Sequence, residues 1–272
     1  MEIWQIAIFL ATGSVAGLLA GVMGIGGGII FVPVILFYLD FIQVDPTYIP
    51  TIAVSSSLCV ILATISVSGY THFSKGNMQI LTLPNLIISG VVGSVAATFA
   101  LRYIEAEPFK IILGSFQLFL GAKLFLSSSK EIETHEVQVW RFWAVGFLAG
   151  WVSGFFGVGG GMMIMPLLHL AVGYKLPKAV GTATGFMLFS VSVSLVSYGV
   201  QGWGLDIGTK GMLGPFYLPA IFALIPTSFV FSRVGALMAS SVDAKKLKRG
   251  FGFLIVFVGL LSIGREVSKY LI

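Results

Sequence analysis

Charge is what this chain has least of. Only 10% of its 272 residues are Asp, Glu, Lys or Arg, and 57% are hydrophobic, whereas about a quarter of an ordinary soluble domain is charged. A soluble globular fold is excluded, and no hydrophilic stretch is long enough to make a separate aqueous domain. Cysteine is nearly absent too. Cys59 stands alone, which excludes an internal disulfide and argues against a cysteine-based metal cluster; it reads as a small apolar packing residue. The long apolar runs contain no Asp or Glu, no paired aspartates and no His-Glu-x-x-His. Without a nucleophile and base, or a ligand set, an intramembrane enzyme is not expected, and neither is a metal or a cofactor. A cation pathway is disfavoured as well, because cation carriers place carboxylates inside the membrane. The start, Met1-Glu2-Ile3-Trp4, lacks the basic region of a secretory signal, so the first segment reads as retained. The net charge of +5 falls in loops and helix ends, where it reflects topology and anionic lipid rather than nucleic acid.

What is present is lipid-compatible sequence. Uncharged runs cover Ile3 to Leu39, Pro46 to Thr71, Gly76 to Leu101, Phe142 to Tyr174, Ala179 to Leu205, Gly211 to Ser232 and Gly250 to Gly264, with a further stretch from Ile111 to Ser129 broken only by Lys123. Since roughly 20 apolar residues cross the hydrocarbon, about eight spans are expected. The fold class is therefore an all-α polytopic membrane protein, multi-pass in the cell (inner) membrane.

One glycine signature occurs twice. The first copy is Gly17-Leu-Leu-Ala-Gly21-Val-Met-Gly24-Ile-Gly26-Gly27-Gly28-Ile-Ile-Phe-Val-Pro33, and the second is Gly150-Trp-Val-Ser-Gly154-Phe-Phe-Gly157-Val-Gly159-Gly160-Gly161-Met-Met-Ile-Met-Pro166. Six glycines and the proline recur at an offset of 133. Further on, Ala53-Val54-Ser55-Ser56-Ser57 aligns with Ala179-Val180-Gly181-Thr182-Ala183 at an offset of 126. The hydrophilic stretch from Ser127 to Arg141 separates the two halves. The expected organisation is a first transmembrane repeat over 1–129, a linker over 130–141 and a second repeat over 142–272, each repeat with about four spans and a glycine-broken or re-entrant first element. Parallel and inverted halves both remain open. Four crossings in each would divide the basic residues seven against nine between the two faces, with Lys110 opposite Arg265.

Broken helices persist at membrane depth only where they pack in protein or line a polar cavity, so two matched breaks point to a translocation site. Glycine adopts positive φ without steric cost, which lets one helix stop and another start at about Ile29. A new helix offers unpaired N–H groups and a partial positive charge, suited to an anion, with no charged side chain in lipid. Pro33 and Pro166 are expected in the first turns of these new helices. Gly17, Gly21, Gly150 and Gly154 instead form small-xxx-small patterns and read as helix packing. For Gly26, Gly27, Gly28, Gly159, Gly160 and Gly161, packing is a poorer account, because each glycine costs a helix roughly 1 kcal/mol relative to alanine. These six are the candidate substrate-facing backbone.

The doubled Gly-x-x-Gly-x-Gly-Gly-Gly-x-x-x-x-Pro element, followed each time by Ala-x-(Gly/Ser)-(Thr/Ser), resembles the TauE/SafE family of sulfite and organosulfonate exporters, also called the 4-toluene sulfonate uptake permease family. The resemblance covers nearly the whole chain. It implies a carrier of sulfite or another small sulfur oxyanion. The family pattern falls on Gly24, Gly26, Gly27, Gly28 and Pro33, on Gly157, Gly159, Gly160, Gly161 and Pro166, and on Ser56 and Thr182. Ser55-Ser56 stands where the family shows Gly-Thr.

Hydroxyl donors replace water around a desolvated oxyanion, so Ser56 and Thr182 are candidate ligands, with helix packing an equal alternative; Ser55, Ser57 and Thr184 read as packing. Arg233 is a further substrate-binding candidate, weighed against snorkelling to the interface. Lys123 reads as snorkelling, His72 and Lys75 as an interfacial turn, and His169 as a packed histidine. The expected function is export of a sulfur-containing oxyanion; proton-coupled uptake or a non-transporting membrane scaffold are the alternatives.

Overall fold

Inside a bilayer every backbone amide must find an internal partner, and uninterrupted apolar runs achieve this as helices. A computed structural model describes residues 2–23, 26–126, 138–205, 207–238 and 244–271. Gly24, Asp206 and most of the 130–141 linker lie outside the described residues. The order is α1 (Ile3–Met23), α2 (Gly28–Phe41), α3 (Ile49–Ser74), α4 (Leu83–Leu101), α5 (Ala106–Leu126), α6 (Val139–Phe156), α7 (Gly161–Leu170), α8 (Leu176–Gln201), the short strands β1 (Met212–Leu213) and β2 (Phe216–Tyr217), α9 (Leu218–Met238) and α10 (Ala244–Leu271). Among the described residues seven helices are long and apolar enough to cross a membrane. α5 has 21 residues and carries Glu107, Lys110 and Lys123.

The first two helices of each half form a re-entrant pair. α2 has 14 residues and α7 has 10, about 21 Å and 15 Å of helix, too short for a hydrocarbon core of about 30 Å. α2 turns back along α1: Tyr38 donates to Gln5 Oε1 at 3.2 Å, the Phe9 and Tyr38 rings meet at 5.0 Å, and Trp4 meets Phe41 at 5.6 Å. α7 likewise returns to the start of α6, where Arg141 donates to the Ala171 carbonyl at 3.1 Å and Phe142 meets Tyr174 at 6.3 Å. Each half then has three helices that run from one face to the other, α3–α5 and α8–α10. An odd number sends the two halves through the membrane in opposite senses.

Helix pairing is reciprocal. α1 runs beside α9 in the same direction, with Gly13 on Thr227, Gly17 on Ser228 and Gly21 on Ser232. α6 runs beside α4 in the same way, with Gly146 on Leu86 and Ser89, Gly150 on Gly90 and Gly154 on Ser94. A β-carbon on Gly21 would lie 2.0 Å from the Ser232 carbonyl oxygen, and one on Gly150 would lie 2.1 Å from that of Gly90. The outer glycines thus serve close helix packing, as their spacing indicates. α5 and α10 run antiparallel, Gly114 against Gly259 and Ile263, Gly121 against Val256. α3 and α8 form the centre: 71% and 61% of their apolar windows are buried, against 28% for α9.

This topology replaces the seven-to-nine division of basic residues. The face where α1 begins carries Arg102, Lys110, Lys210, Arg265 and Lys269; the other carries Lys75, Lys123, Arg141, Lys175, Lys178, Arg233, Lys245, Lys246, Lys248 and Arg249. Lys110 and Arg265 share a face, because Lys110 pairs with Glu266 at 2.8 Å. Among the described residues, which leave out Lys130, ten against five separates the faces.

Candidate transport site

The glycine triplets make the two turns that start α2 and α7. Gly27 and Gly160 are the N-caps, with φ of 75° and 74°, a left-handed conformation that other L-residues adopt at a cost. Neither cap supplies a side-chain hydrogen bond, and the helices begin at Gly28, one residue before the expected Ile29, and at Gly161. The two turns abut. A β-carbon on Gly28 would lie 2.4 Å from the Gly157 carbonyl oxygen and 2.8 Å from Val158 Cα. Gly26 and Gly159 both face the same two side chains, Ile61 Cγ2 of α3 and Met187 Cε of α8, at 3.0 to 3.3 Å from their added β-carbons. Ile61 and Met187 are fully buried. They occupy the space onto which both turns open, so any molecule reaching both turns would have to displace them.

The prolines lie deeper than the first turn. Pro33 and Pro166 are the sixth residues of α2 and α7, where a missing N–H leaves a carbonyl four residues earlier without its helical partner. In α2 that carbonyl belongs to Ile29, and Gln117 Nε2 of α5 donates to it at 2.8 Å. Gln117 is fully buried, and its Oε1 has no partner. The sequence reading did not single out this residue.

Ser56 and Thr182 occupy matching places. Ser56 Oγ accepts the Tyr217 N–H at 2.9 Å, and Thr182 Oγ1 accepts the Gln79 N–H at 3.0 Å. Both residues are fully buried, and each anchors the segment that dips in ahead of α9 or α4. Each hydroxyl keeps its own proton to donate. Ser55 donates to the Pro215 carbonyl at 2.6 Å, and Ser57 donates to that of Gly157 at 2.9 Å, which ties α3 directly to the second turn. Thr184 donates back to Val180 in its own helix. Arg233 is exposed near the end of α9, and none of the nearest neighbours of Gly26, Gly27, Gly28, Gly159 or Gly160 belongs to it. His169 Nδ1 meets the Tyr174 carbonyl oxygen at 2.7 Å, a packing role at the end of α7.

The expectation that no carboxylate is buried within a span fails at Glu266. It lies in the apolar stretch Arg249–Ser268 of α10 and pairs with Lys110 of α5 at 2.8 Å, while Lys110 also reaches Asp40 of α2 at 3.0 Å. Lys110 and Glu266 are 1% exposed and Asp40 28%. Next to this triad, the Arg265 guanidinium sits 5.3 Å from the centre of the Phe37 ring of α2. In sequence each member stands at the edge of an apolar run, where it resembles an interfacial residue. The cluster holds the end of α2 against α5 and α10.

Helices crossing lipid, two re-entrant helices whose N-termini meet at mid-depth, and reciprocal packing of the two halves describe a multi-pass membrane transporter. The chain belongs to the TauE/SafE sulfite exporter family, whose model matches residues 9–262. It is 30% identical to a probable membrane transporter protein of Haemophilus influenzae, over 94% of this chain and 97% of that protein. A probable membrane transporter protein of Methanocaldococcus jannaschii is 25% identical over 94% of each chain. Sulfite exporter TauE/SafE family protein 1 of Arabidopsis thaliana is 39% identical over 115 residues, which is 42% of this chain and 22% of that one. No solved structure matches the chain.

Proposed function

We propose that this transporter exports a small sulfur oxyanion, sulfite or an organosulfonate, held between the N-termini of α2 and α7. The observation that carries the reading is the meeting of the two glycine turns, where Gly28 abuts Gly157 and Val158, and Gly26 and Gly159 face the same Ile61 of α3 and Met187 of α8. Gly26, Gly27, Gly28, Gly159, Gly160 and Gly161 present backbone donors there, and the helix ends supply positive potential without a formal charge. Ser56 and Thr182 add hydroxyl donors once the dipping segments shift. Arg233, exposed on α9, acts as a snorkelling cation at the interface. The halves are read as duplicated and inverted repeats, which is how many carriers alternate access around one central site. Ten basic residues against five assign the face bearing Lys245 and Arg249 to the cytoplasm. From there a dianion gains about 4.6 kcal/mol on leaving through an inside-negative potential of about 100 mV.

Purified protein in sidedness-controlled liposomes, given radiolabelled sulfite, a sulfonate and thiosulfate under an imposed potential, tests this directly. Efflux should carry negative charge and accelerate as the compartment of origin is made negative. Gly27→Val and Gly160→Val should each abolish flux in correctly inserted protein; full flux in both would remove the helix-terminus site. Proton-coupled uptake is the second reading, favoured by the buried Lys110–Glu266 pair and the half-buried Asp40 beside it. A flux that is electroneutral and collapses without a proton gradient would establish it.

A further inference from the structure

A cavity of about 270 Å³ opens on the face where α1 begins, lined by Thr47, Tyr48 and Thr51 at the start of α3, Arg102 at the end of α4, and Gln201 and Leu205 at the end of α8. Its volume is several times the roughly 30 Å³ share of one water. Among the described residues Arg102 has no ion pair or hydrogen bond, and the hydroxyls of Thr47, Tyr48 and Thr51 have none either. Gln201 is already oriented, its Nε2 donating to Thr98 Oγ1 at 2.9 Å and Ser197 Oγ at 3.0 Å. Arg102 is the one charged side chain among the described lining residues, which include no carboxylate, and the hydroxyls of Thr47, Tyr48 and Thr51 can each donate. Such a wall suits a small oxyanion: the guanidinium supplies charge and a planar fork, and the hydroxyls fill the remaining lone pairs.

The cavity stands apart from the glycine turns but is connected to them along one helix. Thr51 lies ten residues before Ile61 on α3, about 15 Å of helix, and one turn before Ser55. We propose that Arg102, with Thr47, Tyr48 and Thr51, forms an outer anion-binding vestibule that takes the oxyanion cargo as it leaves the central turns, and from which external anion inhibits efflux. This rests on the transport reading for its role, but the binding itself does not. The shared chemistry, a tetrahedral or pyramidal oxyanion, also belongs to a lipid phosphate, and the experiment must separate the two.

The test uses the full chain and thiosulfate, whose charge is constant near neutral pH. In phosphate-free detergent, calorimetry should detect thiosulfate binding to the wild type and to Gly160→Val, and a loss of about tenfold or more in affinity for Arg102→Gln, as expected when a charged hydrogen-bonding group is removed. Arg102→Lys should recover part of it, and Arg102→Gln should leave thermal stability unchanged because the side chain is exposed. In liposomes, external thiosulfate should inhibit efflux of the wild type at least tenfold more strongly than that of Arg102→Gln. Wild-type binding and inhibition in Arg102→Gln would overturn the vestibule. So would a cavity that binds no thiosulfate in detergent while retaining an Arg102-dependent phospholipid in native mass spectra. If calorimetry gives the expected pattern but the wild type moves no anion, the vestibule stands and the transport reading falls.

Discussion

α2 and α7 begin alike and end differently. Both start from a left-handed glycine cap and carry a proline at the sixth position. α2 then packs against α1, α3, α5 and α10, whereas α7 packs mainly against α6 and α8. Gln117 meets α2 at its first turn, Lys110 and Glu266 hold Asp40 at its last, and Arg265 covers Phe37 between them. At the place corresponding to Asp40, the second half has Gly173, which cannot form an ion pair. The end of α7 is held by Arg141 on the Ala171 carbonyl and by Tyr174, whose hydroxyl donates to Thr82 at 2.8 Å. The two re-entrant arms thus start from the same kind of turn while differing in how firmly each is held. The expectation is that α7 moves and α2 serves as its fixed counterpart.

The comparison can be broken most forcefully at Lys110. Lys110→Met leaves Asp40 and Glu266 near each other without a counter-charge, and removing one partner of a buried ion pair costs about 3–5 kcal/mol. The variant should unfold well below the wild type in detergent, measured by loss of the monodisperse peak after heating. The triple change Asp40→Asn, Lys110→Met, Glu266→Gln should recover most of that loss; equal damage in both would deny the cluster its electrostatic role. Next come Ser56→Ala and Thr182→Ala, which strand the Tyr217 and Gln79 amides at about 1–3 kcal/mol each. Similar effects in the two variants would mark the dipping segments as equivalent, and lowered anion affinity at constant stability would make the hydroxyls ligands. Gln117→Leu frees the Ile29 carbonyl and should cost about 1 kcal/mol, with faster amide exchange in α2 approaching the rate of α7. If α2 already exchanges as fast as α7 in the wild type, the fixed-arm idea fails. Arg233→Gln should have the smallest effect, with wild-type flux and stability.

Much of this architecture can be read from residue spacing. The repeated Gly17/Gly21 and Gly150/Gly154 patterns mark tight helix pairs because only glycine permits carbonyl-to-backbone approach, and the triplets mark the breaks because consecutive glycines are poor helix formers. The return of α2 and α7 was also within reach: between Gly28 and Asp40 there are too few apolar residues to cross lipid. The charge triad was not. Asp40, Lys110 and Glu266 are far apart in sequence, each at the border of an apolar run, and only the packing of α5 along α10 and α2 brings them together. The matched offset of the two halves marks Ser56 and Thr182. Their partners Tyr217 and Gln79 carry no such mark, since a backbone amide that donates to a hydroxyl does so whatever its own side chain.

Ile61 and Met187 have a consequence beyond filling space. A membrane that stores energy as a voltage behaves as a charged capacitor, and any continuous file of water through a protein would discharge it. Where two sets of helix ends, rich in exposed N–H groups, come within a few ångströms of each other, such a file would form easily. The isoleucine and methionine side chains interpose an apolar layer at that narrow point. Met187, unbranched and with three rotatable bonds, is the more easily swung aside of the two, so the tightness of this seal depends on side-chain rotamers at the turns as well as on the seating of α7.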